Sequence, residues 1–447
     1  MNPVDPHTLS ELQIVSEHHR SAGILNYFDQ TKTYGGRDYL KKMICEPPAT
    51  LTALLSFQDL LKTIVSNPIS WEIDIPRAYV MAAENYYTLN IAHSMSQDVF
   101  KHWFDTLIFS FRNPAEFSRI QSGLMAVLKL IRAVNKMLKA LEETEIPREI
   151  AGEISDMRKF LSHAAIKSLL TQKDENLSNR SVFHLDYFFR VEHKKALRHF
   201  LDVFYKFDAY LAIAKTAVVN NLSFPEIRAD IADFNAESVW HPLVANAVSN
   251  HFELVSAKPV CILTGANTSG KTTFLKTCGI VVYLAHLGWP VPAEKVKLPY
   301  VDRLFTSIHL SDDLDLGYSH FYNEMMRIKS IATALNEDEK CFVIIDELFR
   351  GTNQDDALHC SRTAVDGFSN FKGSLFIVST HLLELIKNYS TSPQVSFKCF
   401  KTRITGMQFE NSYRIEDGVA YEKVGRLIMI KSGVEALLKK QKRLPDI

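Results

Sequence analysis

A glycine-rich segment that ends in lysine and threonine is the clearest candidate for chemistry in this sequence. Gly265-Ala-Asn-Thr-Ser-Gly-Lys-Thr272 matches G-x-x-x-x-G-K-[ST], and it lies between an apolar run and a helical pattern. Glycines in such a loop let backbone N–H groups face phosphate oxygens, and the N-terminus of the following helix adds partial positive charge. We expect Lys271 to reach the β- and γ-phosphates of a nucleotide and the Thr272 hydroxyl to bind Mg²⁺.

Two adjacent carboxylates supply a second part of this site. The apolar run Cys341–Ile345 is followed directly by Asp346 and Glu347. A strand over this run would bring Asp346 to the Mg²⁺ and leave Glu347 beside the attacking water, which a carboxylate can polarise. An acidic strand end can also cap a helix. Together with the glycine-rich loop, however, the pair favours nucleotide hydrolysis.

A histidine at the end of a third apolar run is a further candidate. His381 follows Phe376–Thr380, and from the edge of a sheet it could sense the γ-phosphate. A lone histidine is more often structural, so its spacing alone leaves both interpretations open.

The elements that must position these residues differ between the two halves of the chain. From about residue 231, the runs Pro259–Thr264, Cys341–Ile345 and Ser374–Ser379 are typical of buried parallel strands, with helical patterns between them. Before residue 230, apolar residues recur every three or four positions, as in the stripes Leu124–Leu141 and Leu197–Ala214. We therefore predict an N-terminal arm over 1–24, an all-α domain over 25–230 and an α/β P-loop NTPase domain over 231–447.

Composition narrows the class of protein. With 46% hydrophobic and 23% charged residues, the chain is expected to be globular, and no uncharged apolar run is long enough to span a membrane. The six cysteines are scattered and the N-terminus has no secretory pattern, which predicts a reduced, cytoplasmic protein. Lys and Arg total 51 and so do Asp and Glu, so bulk charge does not indicate nucleic-acid binding.

The motifs of the second half together resemble the ATPase domain of the MutS family, the mismatch-repair branch of the ABC-type ATPases. Asn267 stands at its usual place in the phosphate loop, Asp346–Thr352 resembles the D-E-x-x-R-G-T segment, and Ser379-Thr-His381 resembles the [SA]-T-H switch. The stretch Asp312–Met325 resembles the family's signature, which includes Ser319. The resemblance implies ATP and Mg²⁺ as ligands. The implied ATP-binding residues are Gly265, Asn267, Gly270, Lys271, Thr272 and Thr273, the metal ligands are Thr272 and Asp346, and the catalytic residues are Glu347, His381 and Ser319.

The helical half resembles the family's core and lever domain more loosely, through Thr31–Gly36 and Phe207-Asp-Ala209. Departures from the family accompany this resemblance. The core motif begins near residue 25, so the mismatch-reading and connector domains are expected to be missing, and His320 replaces a Ser or Thr of the signature. The sequence therefore predicts a short form of the family.

The resemblance also implies a mechanism and partners. In the family two ATPase domains face each other head to tail, so Ser319 of one subunit would complete the nucleotide site of the other. A homodimer is expected, with helices of the first half acting as levers, and a repair protein is a further possible partner. No membrane partner is expected.

Two functions of different classes remain open at the level of sequence. The first is an ATP-dependent DNA-binding protein of repair or recombination that does not read mismatches. The second is a dimeric regulatory ATPase that acts on a protein partner and never touches DNA. Two basic clusters could contact duplex or branched DNA, although such clusters are usually solvated helix faces. They are Arg190, His193, Lys194, Lys195 and Arg198, and the tail residues Lys439, Lys440, Lys442 and Arg443.

Overall fold

The computed structural model describes residues 4–15, 23–89, 108, 112–171, 179–308, 320–406, 408–422 and 424–439. The chain divides into two units. The helical unit comprises Phe28–Cys45 and Ser56–Val219, and the sheet unit comprises Met1–Tyr27, Glu46–Leu55 and Asn220–Ile447. The domain boundaries expected after residues 24 and 230 stay predictions.

The described secondary structure begins with helices and changes to alternating strands and helices after residue 225. The α-helices are α1 Pro6–Glu11, α2 Ile24–Phe28, α3 Tyr34–Cys45, α4 Leu51–Ser66, α5 Arg77–Thr88, α6 Pro114–Ala140, α7 Arg148–Leu161, α8 Ala164–Thr171, α9 Asn179–Tyr187, α10 Lys194–Val219, α11 Lys271–His286, α12 His320–Asn336, α13 Gln354–Ser369, α14 Leu383–Tyr389, α15 Gly425–Lys431 and α16 Val434–Lys439, with a π-helix at Phe188–Glu192. The strands are β1 Glu226–Arg228, β2 Phe234–Val239, β3 Asn250–Leu254, β4 Val260–Gly265, β5 Lys295–Pro299, β6 Arg303–Ser307, β7 Cys341–Ile345, β8 Leu375–Ser379, β9 Val395–Thr405 and β10 Gln408–Asp417.

Two long helices, α6 and α10, dominate the helical unit. The stripe predicted on α6 is buried from Leu124 to Leu138, and α10 buries Leu197, Phe204 and Ile213 in the same way. Both stripes follow the 3.6-residue period, so one face of each helix packs in the core while the other meets solvent. Across the described ranges, no helix is both long and apolar enough to cross a membrane.

A buried carboxylate explains the motif Thr31–Gly36. Asp208 on α10 accepts hydrogen bonds from the backbone N–H of Lys32 and Thr33 and from the Thr33 hydroxyl, which in turn accepts one from Gly36 N–H. These donors lie at the start of α3, where N–H groups lack partners within the helix. A Cβ on Gly36 would stand 2.4 Å from Asp208 Oδ2, so only glycine allows this approach.

The core of the sheet unit is a six-stranded sheet in the order β10-β9-β4-β8-β7-β6. Five of its strands, β9, β4, β8, β7 and β6, run parallel to one another. The sixth strand, β10, is antiparallel to its neighbour β9. Every residue of β4, β7 and β8 is buried, as expected for a parallel sheet that is covered on both faces. The three predicted strands are therefore adjacent, and their carboxyl ends lie at one edge.

A smaller sheet and a hairpin complete this unit. The smaller sheet has the order β1-β5-β2-β3, and β9 and β10 form an antiparallel hairpin whose register shifts between Asn411 and Ile415. The sequence pattern predicted neither feature. The irregular segment of β10 reaches back to the phosphate loop, as described below.

The short helix α1 packs on the outer strand β6. The Thr8 hydroxyl accepts a hydrogen bond from Thr306 N–H, and Glu11 accepts from the Thr306 hydroxyl and from Ile308 N–H. Arg327 on α12 donates to the same Thr8 hydroxyl at 2.7 Å. Within the sheet unit, α1 thus joins the end of β6 to α12.

Candidate nucleotide site

The phosphate loop connects β4 to α11 and has an unusual backbone. Gly265, Thr268 and Gly270 have φ values of +152°, +76° and +103°, a region that favours glycine. A Cβ on Gly265 would lie 2.9 Å from the carbonyl oxygen of Phe400, so no larger residue fits there. The strained Thr268 is held by a hydrogen bond of 3.0 Å from the Asn411 side chain to its carbonyl oxygen. These glycines give the loop the cradle shape that phosphate binding requires.

The lysine of the loop is almost completely buried. Lys271 Nζ donates hydrogen bonds to the carbonyl oxygens of Gly265 at 2.8 Å and Ala266 at 3.2 Å. Burial lowers its pKa, whereas the carboxylates of Asp346 and Glu347 act in the opposite direction. The ammonium group therefore lies inside the loop, where an anion would gain most from it.

Hard oxygen atoms converge at the end of β7. Asp346 Oδ2 accepts a hydrogen bond of 2.5 Å from the Thr272 hydroxyl, and Asp346 Oδ1 accepts one from the Ser379 hydroxyl. The Ser379 hydroxyl in turn accepts from Glu347 N–H at 2.9 Å. Such hydroxyl and carboxylate oxygens are the ligands that Mg²⁺ prefers, so the residues fit the expected metal. Ser379 was quoted in the sequence as part of a motif but was not expected to orient Asp346.

The second carboxylate is held by a histidine and an arginine side chain. Glu347 Oε1 lies 2.9 Å from His381 Nε2, and Glu347 Oε2 lies 2.9 Å from Arg350 Nε. The hydrogen bond with His381 is the main cause of a lowered pKa for Glu347, while burial acts in the opposite direction. Glu347 also has φ of +61°, so the chain turns sharply where this carboxylate leaves the strand. Arg350 was not among the predicted site residues, although it belongs to the D-E-x-x-R-G-T segment.

A cleft of about 620 Å³ is lined by the phosphate loop, Asp346, Glu347 and Arg350, together with residues that the sequence did not single out. Tyr413 lies on the irregular segment of β10, has φ of +54° and is 47% exposed. The Asn250 side chain fixes this segment, since it donates to Tyr413 O at 3.0 Å and accepts from Ile415 N–H at 2.7 Å. His241 also lines the cleft, and burial lowers its pKa to about 4. An exposed aromatic ring thus borders the phosphate loop.

A second cleft of about 620 Å³ lies on the other side of the phosphate loop. Asn267 lines both clefts, and His381 lines only the second. Its far wall includes Ile428 of α15, a helix that buries none of its side chains. The loop therefore has open space on both of its sides.

The other predicted residues fall into two groups. Ser319 lies outside the described residues, as do Lys440, Lys442 and Arg443, and the Lys439 side chain is not described. The cluster on the helical unit is described in part. Arg190 forms a salt bridge with the buried Asp186, and Arg198 Nε lies 3.0 Å from Asp202 Oδ1. Lys194 and Lys195 are exposed.

Comparison with known proteins finds similarity to MutS proteins, both with a family model and with individual relatives. The family model for MutS domain V matches residues 261–440. The chain is 32% identical over 224 residues to a DNA mismatch repair protein MutS of Wolbachia pipientis wMel, which covers 49% of this chain and 26% of that protein. It is 30% identical over 238 residues to the MutS of Thermotoga maritima, which covers 52% of this chain and 29% of that protein.

The chain thus spans about a quarter of the length of these relatives. The matched region contains all of β4 except Val260, the phosphate loop, Asp346, Glu347 and His381. The predicted fold class, a helical region followed by a P-loop ATPase domain, is confirmed. Residues 261–440 thus match MutS domain V, which is an ATPase domain.

Proposed function

We propose that this protein binds DNA and hydrolyses ATP in composite sites of a homodimer, in DNA repair or recombination. The observation that carries the proposal is the pair of carboxylates at the end of β7. Asp346 is bonded to Thr272 of the phosphate loop, and the adjacent Glu347 is held between His381 and Arg350. One carboxylate is thus placed for a metal and the other for water.

The phosphate loop binds the substrate in this proposal. Backbone N–H groups from Gly265 to Thr273 surround the phosphates, and Asn267 contacts them from the edge shared by both clefts. Lys271 turns from its two carbonyl partners to the β- and γ-phosphates, because a buried cation gains more from a phosphate than from a neutral oxygen. Thr272 and Asp346 hold Mg²⁺, which when bound neutralises charge on the phosphate oxygens.

Glu347 orients and polarises the attacking water. Its lowered pKa keeps the side chain ionised at neutral pH, so it can accept a proton. His381 and Arg350 fix both carboxylate oxygens, and either side chain can also respond to charge that develops on the γ-phosphate. This arrangement supports the expected roles of Glu347 and His381 and adds Arg350 as a positioning residue.

Tyr413 supplies the contact to the nucleobase. Its ring is exposed in the first cleft, beside Gly270 at the start of α11, and its backbone is fixed through Asn250. An aromatic face that is held in this way can stack on a purine at little cost in conformational entropy.

The second cleft and the last two helices support a homodimer. Ile428 and Met429 on α15 and Leu437 and Leu438 on α16 are 36–68% exposed. Two short helices with exposed apolar side chains are typical of a surface that another chain covers. A second copy on this surface would lie near Asn267 and His381, where Ser319 of that copy is expected to complete the site.

Two observations support DNA as the partner. The relatives compared above carry the name DNA mismatch repair protein, and Lys194 and Lys195 are exposed at the start of α10. The alternative, a regulatory ATPase that acts on a protein partner, is favoured by the equal numbers of cations and anions. The salt bridges of Arg190 and Arg198 also favour this alternative, because an arginine that is paired with a carboxylate is less available to a DNA phosphate.

The test of hydrolysis is Glu347→Gln. This variant keeps Asp346 and Thr272, so Mg·ATP binding measured by calorimetry should stay near that of the wild type. The rate of hydrolysis should fall about 10²- to 10⁴-fold, the usual contribution of a positioned base. Glu410→Gln, which changes an exposed residue of β10, is the matched control. If binding falls and turnover does not fall selectively, Glu347 is structural.

The test of DNA binding is retention of the wild-type protein on duplex and branched DNA at increasing salt. Contacts to phosphates predict that the logarithm of the binding constant falls linearly with the logarithm of the salt concentration. A protein that hydrolyses ATP but is retained by no DNA form would favour the regulatory alternative.

A further inference from the structure

A cleft on the helical unit, distinct from the nucleotide site, has the features of a binding site. It has a volume of about 320 Å³ and is formed by α7, α8, the π-helix and the first half of α10. This volume is at the lower end of the range of about 300–1,000 Å³ for small-ligand sites. We call it the histidine cleft, because His163, His193 and His199 line it.

Aromatic rings belong to half of the residues that line it. The Phe160 and Phe200 rings stack with centroids 4.8 Å apart, and the His193 ring lies 4.3 Å from Phe188 and 4.6 Å from His163. The π-helix creates this grouping, since His193 N–H donates to Phe188 O at 2.8 Å, five residues back. Such π-helical turns are rare and occur often at functional sites. The cleft therefore offers several ring faces in a small space.

Exposed lysines at the cleft can attract an anionic partner. Lys159 lines it, and Lys194 and Lys195 follow His193 directly along the chain. Glu192 precedes His193, and its Oε1 lies 3.8 Å from His193 Nε2. Among the described lining residues the one carboxylate is Asp156, and His199 Nε2 lies 2.9 Å from it. Flat aromatic rings next to exposed lysines are a combination that suits single-stranded nucleic acid, with bases stacked on rings and phosphates near cations.

We propose that the histidine cleft binds one unpaired nucleobase of single-stranded DNA, an inference that rests on the DNA-binding part of the proposed function. A base in a duplex must first be unpaired and unstacked, and one stacking contact does not outweigh that cost by much. The cleft is therefore specific for bases that are already unpaired, as in single strands and at branches.

The experiment compares two oligonucleotides of equal length and charge. One carries normal bases and a single 2-aminopurine, and the other is abasic at every position. The wild type should bind the first about 5- to 150-fold more tightly, which is the usual contribution of one stacked base. The fluorescence of 2-aminopurine should be quenched on binding.

Two variants test the cleft itself. His193→Ala removes a central ring, and Ala196→Phe fills the cleft from an exposed position of α10 without removing any wall. Both should lose the preference for the normal oligonucleotide and the quenching. His184→Ala and Ala151→Phe, at exposed positions outside the cleft, are the matched controls and should keep both. ATP hydrolysis by each variant reports that the protein is folded.

Each outcome has a separate meaning. Equal affinity for the normal and abasic oligonucleotides overturns the inference, yet leaves DNA binding through phosphates intact. A preference that both cleft variants retain also overturns it, because the base is then bound elsewhere. If no DNA form is bound while ATP is hydrolysed, the inference and the DNA-binding part of the proposed function both fail.

Discussion

At the scale of single residues, the nucleotide site depends on side chains that hold other side chains. Asp346 is oriented by Ser379, Glu347 by Arg350 and His381, and the loop by Asn411. The sequence predicted Lys271, Thr272, Asp346 and Glu347 because their motif is contiguous and follows apolar runs. It could not predict Asn411 or Asn250, since both reach the site from hairpins or strands that are distant along the chain.

The first prediction concerns Tyr413. If its ring stacks on the base, Tyr413→Ala should weaken ATP binding by about 1–3 kcal/mol, which is the usual contribution of one stacked base. Binding of inorganic tripolyphosphate, which has no base, should not change. Calorimetry with both ligands checks this, and Tyr413→Phe is the control that retains the ring. Equal losses for ATP and tripolyphosphate would mean that Tyr413 supports the loop rather than the base.

The second prediction concerns acid stability. His286 is fully buried, with Nδ1 2.7 Å from Val282 O and Nε2 accepting from Val301 N–H, and burial lowers its pKa to about 4 from 6.5. Below about pH 6.5 the His286 imidazole is protonated in the unfolded chain, whereas in the folded chain it stays neutral until about pH 4. The free energy of unfolding of the sheet unit should therefore fall by about 1.4 kcal/mol per pH unit in this window.

Hydrogen exchange of the β7 amides at about pH 7.5 and about pH 5, after correction for the intrinsic exchange rate, measures this loss. His286 alone should account for about 2 kcal/mol of it. His286→Gln should reduce the pH dependence by that amount, and His184→Gln at an exposed position should not. An unchanged pH dependence in His286→Gln would contradict the assignment.

At the scale of elements, a buried and an exposed ion pair with the same spacing along the chain contribute differently to stability. Asp186 and Arg190 pair four residues apart in the core, where the Tyr86 hydroxyl also donates to Asp186 at 2.7 Å. Arg198 and Asp202 pair at the same spacing on the surface of α10. A buried charge that loses its partner is costly, whereas exposed pairs contribute little.

The third prediction follows from this comparison. Asp186→Ala should lower the free energy of unfolding of the helical unit by about 3–5 kcal/mol, because it leaves Arg190 and Tyr86 without their partner. Asp202→Ala should change it by no more than about 1 kcal/mol. Urea unfolding followed by circular dichroism at 222 nm checks both values. Similar effects of the two substitutions would show that the core pair is solvated.

The elements differ in how far the sequence predicted them. The strands β4, β7 and β8 were predicted because a strand buried on both faces is a continuous apolar run. Strand β10 was not, since the face that carries Phe409 and Ile415 also carries Asn411 and the register shifts within the strand. The π-helix at Phe188–Glu192 was not predicted either, because its residues also suit an ordinary α-helix.

At the scale of the whole molecule, the proposed homodimer makes each nucleotide site depend on two chains. Ser319, from the sequence, is expected to act on the site of the other subunit, whereas Lys271 acts within its own. The two residues should therefore fail in different ways when they are substituted. Hydrolysis per chain should also rise with protein concentration until the dimer is saturated.

The fourth prediction uses this difference. Ser319→Arg and Lys271→Ala should each be inactive as homodimers, because both of their sites are damaged. In a mixed dimer, Lys271→Ala of one chain and Ser319→Arg of the other chain affect the same composite site. The second composite site has an intact Lys271 and an intact Ser319. Mixing should thus restore up to about a quarter of the wild-type rate if half of the dimers are mixed and the sites are independent. No recovery at any ratio, with exchange of subunits shown by light scattering of tagged chains, would contradict the head-to-tail site.

The contacts of α1 with β6 have a consequence that is unrelated to nucleotides. β6 is an outer strand of the sheet, and outer strands with unpaired N–H groups are templates on which other chains can add a strand and aggregate. Thr8 and Glu11 accept hydrogen bonds from the outward N–H groups of Thr306 and Ile308, two residues apart. Side-chain oxygens of the six-residue helix α1 thus take the place of a further strand at this edge of the sheet. They protect the edge against fibrous self-assembly.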